Sequence, residues 1–277
     1  MATEPRPNAV KAAAASGQTV RGIHLTFAAP AAIEVLAAPL RLDFVYLDGE
    51  HGTFDWRDIE AGCITAERHG LTPIARIPDG SSATITRFLD RGVRGVVVPH
   101  VETVDTARAA VAAAYFAPLG ERSFGASRPE YTLSTVDAGA YMAAQNAAVS
   151  VCLMIETGRG LGIAHELAAV PGVDYLSFGM MDLAHSLGHP GNPGHAEVKA
   201  AVADASARIH KVGKRVREDF MKFAWINDAL VAGARQLIDG ANPHPSHAAA
   251  PRGPLPSPAS RVRVPSPASR GEAGEGC

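Results

Sequence analysis

A chain of 277 residues, 47% of them hydrophobic, can bury a sizeable core as one large domain or two small ones. A net charge of −2 and an isoelectric point near 6.6 offer no basic footprint for nucleic acid or an anionic membrane. Cys63, Cys152 and Cys277 are far apart with no C-x-x-C, and no apolar run is long enough to span a bilayer, which points to a reducing cytoplasm.

Residues 1–20 are Ala-rich and polar and read as a flexible N-terminal segment. From there the chain alternates. Gly22 to Phe27 reads as a strand and Pro30 to Ala37 as a short helix with proline in its first turn. Phe44 to Leu47 is a short apolar run of the fully buried kind. It leads into Asp48-Gly-Glu-His-Gly52, where the glycines permit a tight path that lets several polar side chains converge. Asp55 to His69 is predicted as a helix stopped by Gly70, Pro73 to Ile77 as a strand, and Ser81 to Asp90 as a serine-capped helix.

Gly95 to Pro99 is a β-branched strand, and Thr103 to Ala114 a helix of alanine and charge. Pro118 to Thr135 is an irregular stretch longer than an ordinary connection, in which Arg122 and Arg128 fix the loop or bind ligand. Asp137 to Ala147 reads as a helix, Val149 to Ile155 as a strand, Leu161 to Ala169 as a helix and Val173 to Phe178 as a strand entering Gly179-Met-Met-Asp182. A turn-rich His189-Pro-Gly-Asn-Pro-Gly194 precedes a helix from about Ala196 to His210.

Six strand–helix alternations predict a parallel α/β fold, and repeated right-handed crossovers favour closure into a TIM (β/α)8 barrel. A doubly wound open sheet is the alternative, but no Gly-rich phosphate loop follows the first strand. The C-terminal end looks incomplete or divergent. Lys214 to Asp219, where strand seven belongs, is too charged for an inner strand. Phe223 to Ala232 then reads as a seventh helix and Arg235 to Ile238 as an eighth strand, with no eighth helix behind it. The barrel domain is therefore set at 21–242, and 243–277, rich in Pro, Ser, Ala and Arg, reads as a disordered tail.

In a barrel the strand ends share one mouth. Strand two brings Asp48, Glu50 and His51, strand three Arg76, strand five Glu156 and strand six Asp182. Glu156 and Asp182 are oxygen donors suited to a hard divalent cation. Arg76 can hold a small carboxylate in a fork, and His51 can exchange a proton near neutrality. His100, His165, His185, His189 and His195 read as surface or loop residues, with His185 near enough to the mouth to touch substrate.

Together, Leu47-Asp-Gly-Glu-His51, Arg76, Phe88-Leu-Asp90-Arg-Gly92, Ile155-Glu156-Thr157 and Gly179-Met-Met-Asp182-Leu183 resemble the HpcH/HpaI aldolase family over roughly residues 22–213. The resemblance implies a class II pyruvate aldolase on a TIM barrel, acting on a 4-hydroxy-2-oxo acid in aromatic or sugar acid catabolism. It implies that Glu156 and Asp182 bind Mg²⁺, Mn²⁺ or Co²⁺ together with the 2-oxo acid. Arg76 would stabilise the enolate oxygen, and His51, paired through water with Asp90, would serve as acid and base. Gly179, Met180 and Met181 would face substrate, and Asp48 and Glu50 would support the set.

None of the five lysines, Lys11, Lys199, Lys211, Lys214 and Lys222, ends one of the six strands, which favours a metal over a Schiff base. Asp90 has a plainer reading as a partner of Arg91 or Arg94 at a helix end. Met180 and Met181 replace residues of the family's Gly-Pro-x-Asp loop, and the family's terminal helix, which packs across a subunit partner, is not evident. A homo-oligomer is expected from the resemblance. A CoA-ester lyase of the citrate or malyl type and an inactive remnant are the competing readings.

Overall fold

The computed structural model describes residues 7–125 and 137–240. They fall into two compact units, Met1–Val231 and Ala232–Cys277, and the barrel belongs to the first. Eight parallel strands form one sheet: β1 (Val20–Leu25), β2 (Phe44–Asp48), β3 (Thr72–Arg76), β4 (Gly95–Val98), β5 (Ser150–Ile155), β6 (Tyr175–Phe178), β7 (Arg215–Val216) and β8 (Met221–Trp225). Their order is β7-β6-β5-β4-β3-β2-β1-β8, so the ladder runs round to β8 beside β1, and only the β7–β8 step has no strand pairing. This is a TIM-barrel-like α/β fold.

The helices follow their strands. They are α1 (Ala9–Ser16), α2 (Pro30–Ala37), α3 (Trp56–Arg68), α4 (Ser82–Asp90), α5 (Val104–Ala114), α6 (Ala138–Ala148), α7 (Gly158–Gly162), α8 (Ala164–Ala169), α9 (Met180–Ser186), α10 (Ala196–Lys211) and α11 (Ile226–Gly240). Their starts are capped by side chains the sequence supplies. Asp55 and Asp58 form a reciprocal capping box on α3, and Ser81, Thr103 and Asp137 cap α4, α5 and α6. No described helix is long and apolar enough to cross a membrane.

Strand alternation sorts the core into two layers. Val45 and Leu47 of β2, Ala75 of β3 and Leu153 and Ile155 of β5 face the helices, in the larger apolar cluster. Phe44, Tyr46, Ile74, Val97, Cys152, Met154, Tyr175, Phe220 and Met221 fill the barrel interior. Because both faces are covered, these strands read as continuous apolar runs. Cys63 and Cys152 lie in different layers, and neither is in a disulfide.

Within the segment 1–20, expected to be flexible, the described residues 7–20 instead carry α1. Val10, Ala13 and Ala14 join the interior cluster and plug the barrel opposite the mouth. Asn8 caps α1 through Lys11 N and is itself buried, donating to Arg94 O and Ala148 O at 2.8 Å each. Arg215 donates to Ala14 O and Ala15 O, satisfying carbonyls at the helix end. The apolar positions of α1 were hidden by its alanine content.

The last strands also depart from expectation. Strand seven is only two residues, and Arg217–Asp219 forms a 3₁₀ turn touching both β6 and β8. Phe223 lies in β8 rather than in a helix, and Arg235 to Ile238 lies in α11 rather than in a strand. No α-helix separates β7 from β8, so every later element shifts by one, and α11 is the helix that follows strand eight. The alternation was lost because the 3₁₀ turn carries the charges of Arg217, Glu218 and Asp219 in place of a helix. The expected tail, 243–277, lies outside the described residues, as does most of the loop that holds Arg128.

Candidate active site

The mouth is built from inward positions one step beyond each apolar strand. On β2 the alternation that turns Val45 and Leu47 outward turns Asp48 inward, where it is 1% exposed. Arg76 ends β3 directly beside it in register. The two form a fork: Arg76 Nε donates to Oδ1 at 3.0 Å and a terminal nitrogen to Oδ2 at 2.5 Å. Glu50 Oε2 lies 3.2 Å from the same Nε. Burial alone would raise the Asp48 carboxyl, but bonds from His24, Arg76 and the His51 N–H outweigh it and hold it well below the ordinary carboxylate range.

His24 was not singled out, although it is the one imidazole inside a strand among the described residues. Alternation turns Ile23 and Leu25 outward and His24 inward. Its Nε2 is 3.3 Å from Asp48 Oδ2, while its Nδ1 is buried with no partner. The ring lies between Tyr46 at 4.4 Å and Trp225 at 3.7 Å, the latter stacked. Burial holds its pKa below 6.5, against the opposing pull of Asp48, so the ring is neutral near pH 7.

Glu156 follows β5, 2% exposed. Its Oε2 accepts from His100 N–H at 2.8 Å, and His100 Nδ1 lies 3.2 Å from that oxygen. His100 Nε2 is 3.6 Å from Glu50 Oε1. This imidazole, expected on the surface, therefore links two mouth carboxylates while remaining 58% exposed. Its backbone has φ 52°, a left-handed conformation costing roughly 1–2 kcal/mol for a residue with a Cβ. Its position just past the apolar Gly95-Val-Val-Val-Pro99 run was the available signal.

Burial raises the pKa of Glu156, and the charges of Glu50 and Asp182 raise it further against the opposing pull of His100. Gly179 makes room for this carboxylate: a Cβ there would fall 2.4 Å from Glu156 Oε1. Asp182 lies in the first turn of α9, exposed. The set is thus a buried carboxylate with acidic neighbours, all oxygen donors. That fits a hard divalent cation better than zinc held by thiolates or several imidazoles.

The remaining expected residues divide. His51 sits at the rim, its side chain 64% exposed and its Nε2 3.9 Å from Glu50 Oε2. Met180 packs against the outer apolar layer and Met181 is 58% exposed, so of Gly179, Met180 and Met181 only Gly179 is set against a site residue. Asp90 is not brought to His51 within the chain. It ends α4, which starts at the mouth and runs back toward the start of β4, and there it binds Arg122 at 2.9 Å. Helix direction, not spacing, removes it from the mouth.

Comparison with known proteins agrees with this architecture. The HpcH/HpaI aldolase/citrate lyase family model matches residues 22–237. A hydroxypyruvate/pyruvate aldolase of Roseovarius nubinhibens is 35% identical over 211 residues, covering 76% of this chain and 81% of the relative. A pyruvate aldolase of Rhizobium etli is 37% identical over 179 residues, covering 65% and 70%. The solved structure of an HpcH/HpaI aldolase/citrate lyase family protein from Burkholderia cenocepacia superposes with a TM-score of 0.76 at 28% identity, covering 84% of this chain and 99% of that one. With its strand-end carboxylates, forked arginine and barrel, the chain belongs to the HpcH/HpaI aldolase/citrate lyase family.

Proposed function

We propose that this lyase-family chain is a divalent-metal-dependent aldolase that interconverts a 4-hydroxy-2-oxo acid with pyruvate and an aldehyde. The observation that carries the reading is Glu156, a buried carboxylate pushed toward protonation by its burial and by Glu50 and Asp182. Such a cluster favours a cation, and Glu156 with Asp182 would hold it. When bound, Mg²⁺ or Mn²⁺ supplies positive charge that lowers the energy of an enolate.

The chain's own residues perform the rest. Arg76, fixed by Asp48 and Glu50, presents its remaining N–H groups to the 2-oxo oxygen, where negative charge develops as the C3–C4 bond breaks. His51 takes the proton of the 4-hydroxyl group, and the bonding electrons pass to the oxygen of the nascent enolate. The aldehyde leaves from C4, and the proton held by His51 then passes, through water, to C3 of the enolate to yield pyruvate. His100 and Gly179 keep Glu156 in place, the first by a backbone bond, the second by vacating the space of a Cβ. The names of the relatives, hydroxypyruvate/pyruvate aldolase and pyruvate aldolase, support pyruvate as the nucleophile.

The test needs no knowledge of the aldehyde. Proton–deuterium exchange at the pyruvate methyl group, followed by NMR in D₂O, is expected with Mg²⁺ or Mn²⁺, and EDTA is expected to abolish it. Glu156→Gln should lower exchange by at least about 10²-fold, the scale of removing an electrostatic stabiliser. Folded, metal-loaded protein that exchanges no deuterium would refute the pyruvate reading and direct attention to CoA esters.

A further inference from the structure

Beyond the mouth, the turn that follows α9 gathers a second group of metal-binding side chains. Among the described residues, His189, His195 and Glu197 are the one group of three or more His, Cys, Asp or Glu whose ligand atoms all lie within 4.8 Å of one another. The two imidazoles stack at 3.6 Å, and His189 Nε2 is 2.8 Å from Glu197 Oε2. We propose that these three side chains form a second cation site that takes a borderline transition metal of the Zn²⁺ class.

Local sequence builds the group before any ligand arrives. Pro190 and Pro193 restrict the turn, and Gly191 takes φ 74° within it. Backbone bonds close it twice, Asn192 N–H to His189 O and His195 N–H to Asn192 O, each at 3.1 Å. His195 then caps α10, which places Glu197 in the first helical turn. The ligands are therefore held by a short, doubly constrained stretch, which limits the ordering cost of binding.

Donor chemistry sets the class of metal. Two nitrogens and one oxygen suit Zn²⁺, Ni²⁺ or Cu²⁺, whereas the mouth offers oxygens and suits Mg²⁺ or Mn²⁺. Bonds of about 2.0–2.1 Å place tetrahedral ligands roughly 3.3 Å apart, so the widest separation must close by about 1.5 Å or less and the 2.8 Å His189–Glu197 pair must open by about 0.5 Å. The partial exposure of both histidines and the exposure of Glu197 leave the side chains free to do this, and water can take the fourth position. The cation replaces the proton shared by His189 and Glu197. If it takes His195 Nδ1, it also replaces that atom's long 3.3 Å bond from Glu197 N–H. The bound metal clips the turn behind Asp182 to the start of α10.

Zn²⁺ binding to EDTA-stripped full-length protein, counted by equilibrium dialysis, tests the site. Glu156→Gln with Asp182→Asn removes mouth donors from the count. That variant is expected to retain one Zn²⁺ per chain and to gain several degrees in melting temperature when Zn²⁺ is added. Adding His189→Gln and His195→Asn should abolish both effects, Asn being chosen because it still caps a helix. Mg²⁺ should not compete. Absence of Zn²⁺ from the mouth variant, or an unchanged count after the histidine substitutions, would overturn the proposal and leave an ion-paired cap. Neither result depends on pyruvate exchange.

Discussion

The first six strands and the last two build the same barrel by different means. From β1 to β6 each strand is four to six residues long and almost wholly buried, and each long connection returns through helix. From β7 to β8 there is a two-residue strand, a 3₁₀ turn and a half-exposed strand with no helix between. The proposed chemistry lies on the first part, through Asp48, Arg76, Glu156 and Asp182. The second part contributes Trp225, stacked on His24. Its apolar Phe220 and Met221 fill the interior. A barrel can thus keep a complete mouth while its closing wall shrinks to what fills space.

The largest expected effect comes from breaking the better-built wall. Asp48→Ala leaves Arg76 and His24 without their common acid and should cost about 3–5 kcal/mol, the scale for removing one partner of a buried pair. Denaturant unfolding would measure it, and pyruvate exchange should vanish with it. A loss under about 1 kcal/mol would mean that the forked pair is not the keystone of this wall.

Trp225→Ala probes the closing wall. Trp225 is 41% exposed, so the expected cost is about 1–2 kcal/mol, from one lost aromatic stack and partial burial. Exchange should fall too, because His24 steadies Asp48. Lost stability with unchanged exchange would separate the two walls completely.

The smallest effect is one of pH. Burial holds the folded-state pKa of His24 below its ordinary 6.5, so the unfolded chain binds the proton more tightly. This contribution to stability is full above about pH 6.5 and is lost as pH falls below it toward the folded value. Asp48 has a depressed folded pKa, and its contribution persists to more acidic conditions before it is lost. The groups facing His24 are Asp48, Arg76, Arg217 and Tyr46, and of these the imidazole is the first to change charge as pH falls. Thermal melts from pH 8 to 4 should therefore show an acid limb that starts nearer pH 6.5 in the parent than in His24→Gln.

How much could be read beforehand follows the same division. Pro30–Ala37 has the expected bounds, and β2 to β6 lie within a residue or two of theirs, because two-faced burial leaves an apolar run between turn residues. Strand-end position located Asp48, Arg76 and Glu156. The inward phase could equally have found His24, which carries no motif of its own, and His100, which reads from sequence as a surface or loop residue. Asp90 is not brought to His51 within the chain, because sequence adjacency to a recognised motif says nothing about which end of the barrel a helix end reaches. The last strands were illegible for a different reason: β7 is too short to show a period, and a 3₁₀ turn leaves no helical stripe.

The plug at the barrel floor carries a consequence for synthesis. Its helix is made before most of its partners, which are spread along the chain. Thr72 binds Ala9 N, Arg94 and Ala148 bind Asn8, and Arg215 reaches Ala14 and Ala15 across 201 and 200 positions. At elongation rates of about 5–20 residues per second, roughly 10–40 s separate the plug from its last fastener. For that interval the nascent chain carries an alanine-rich segment without its final seat, and the floor of the barrel is sealed only when the shortest strand arrives.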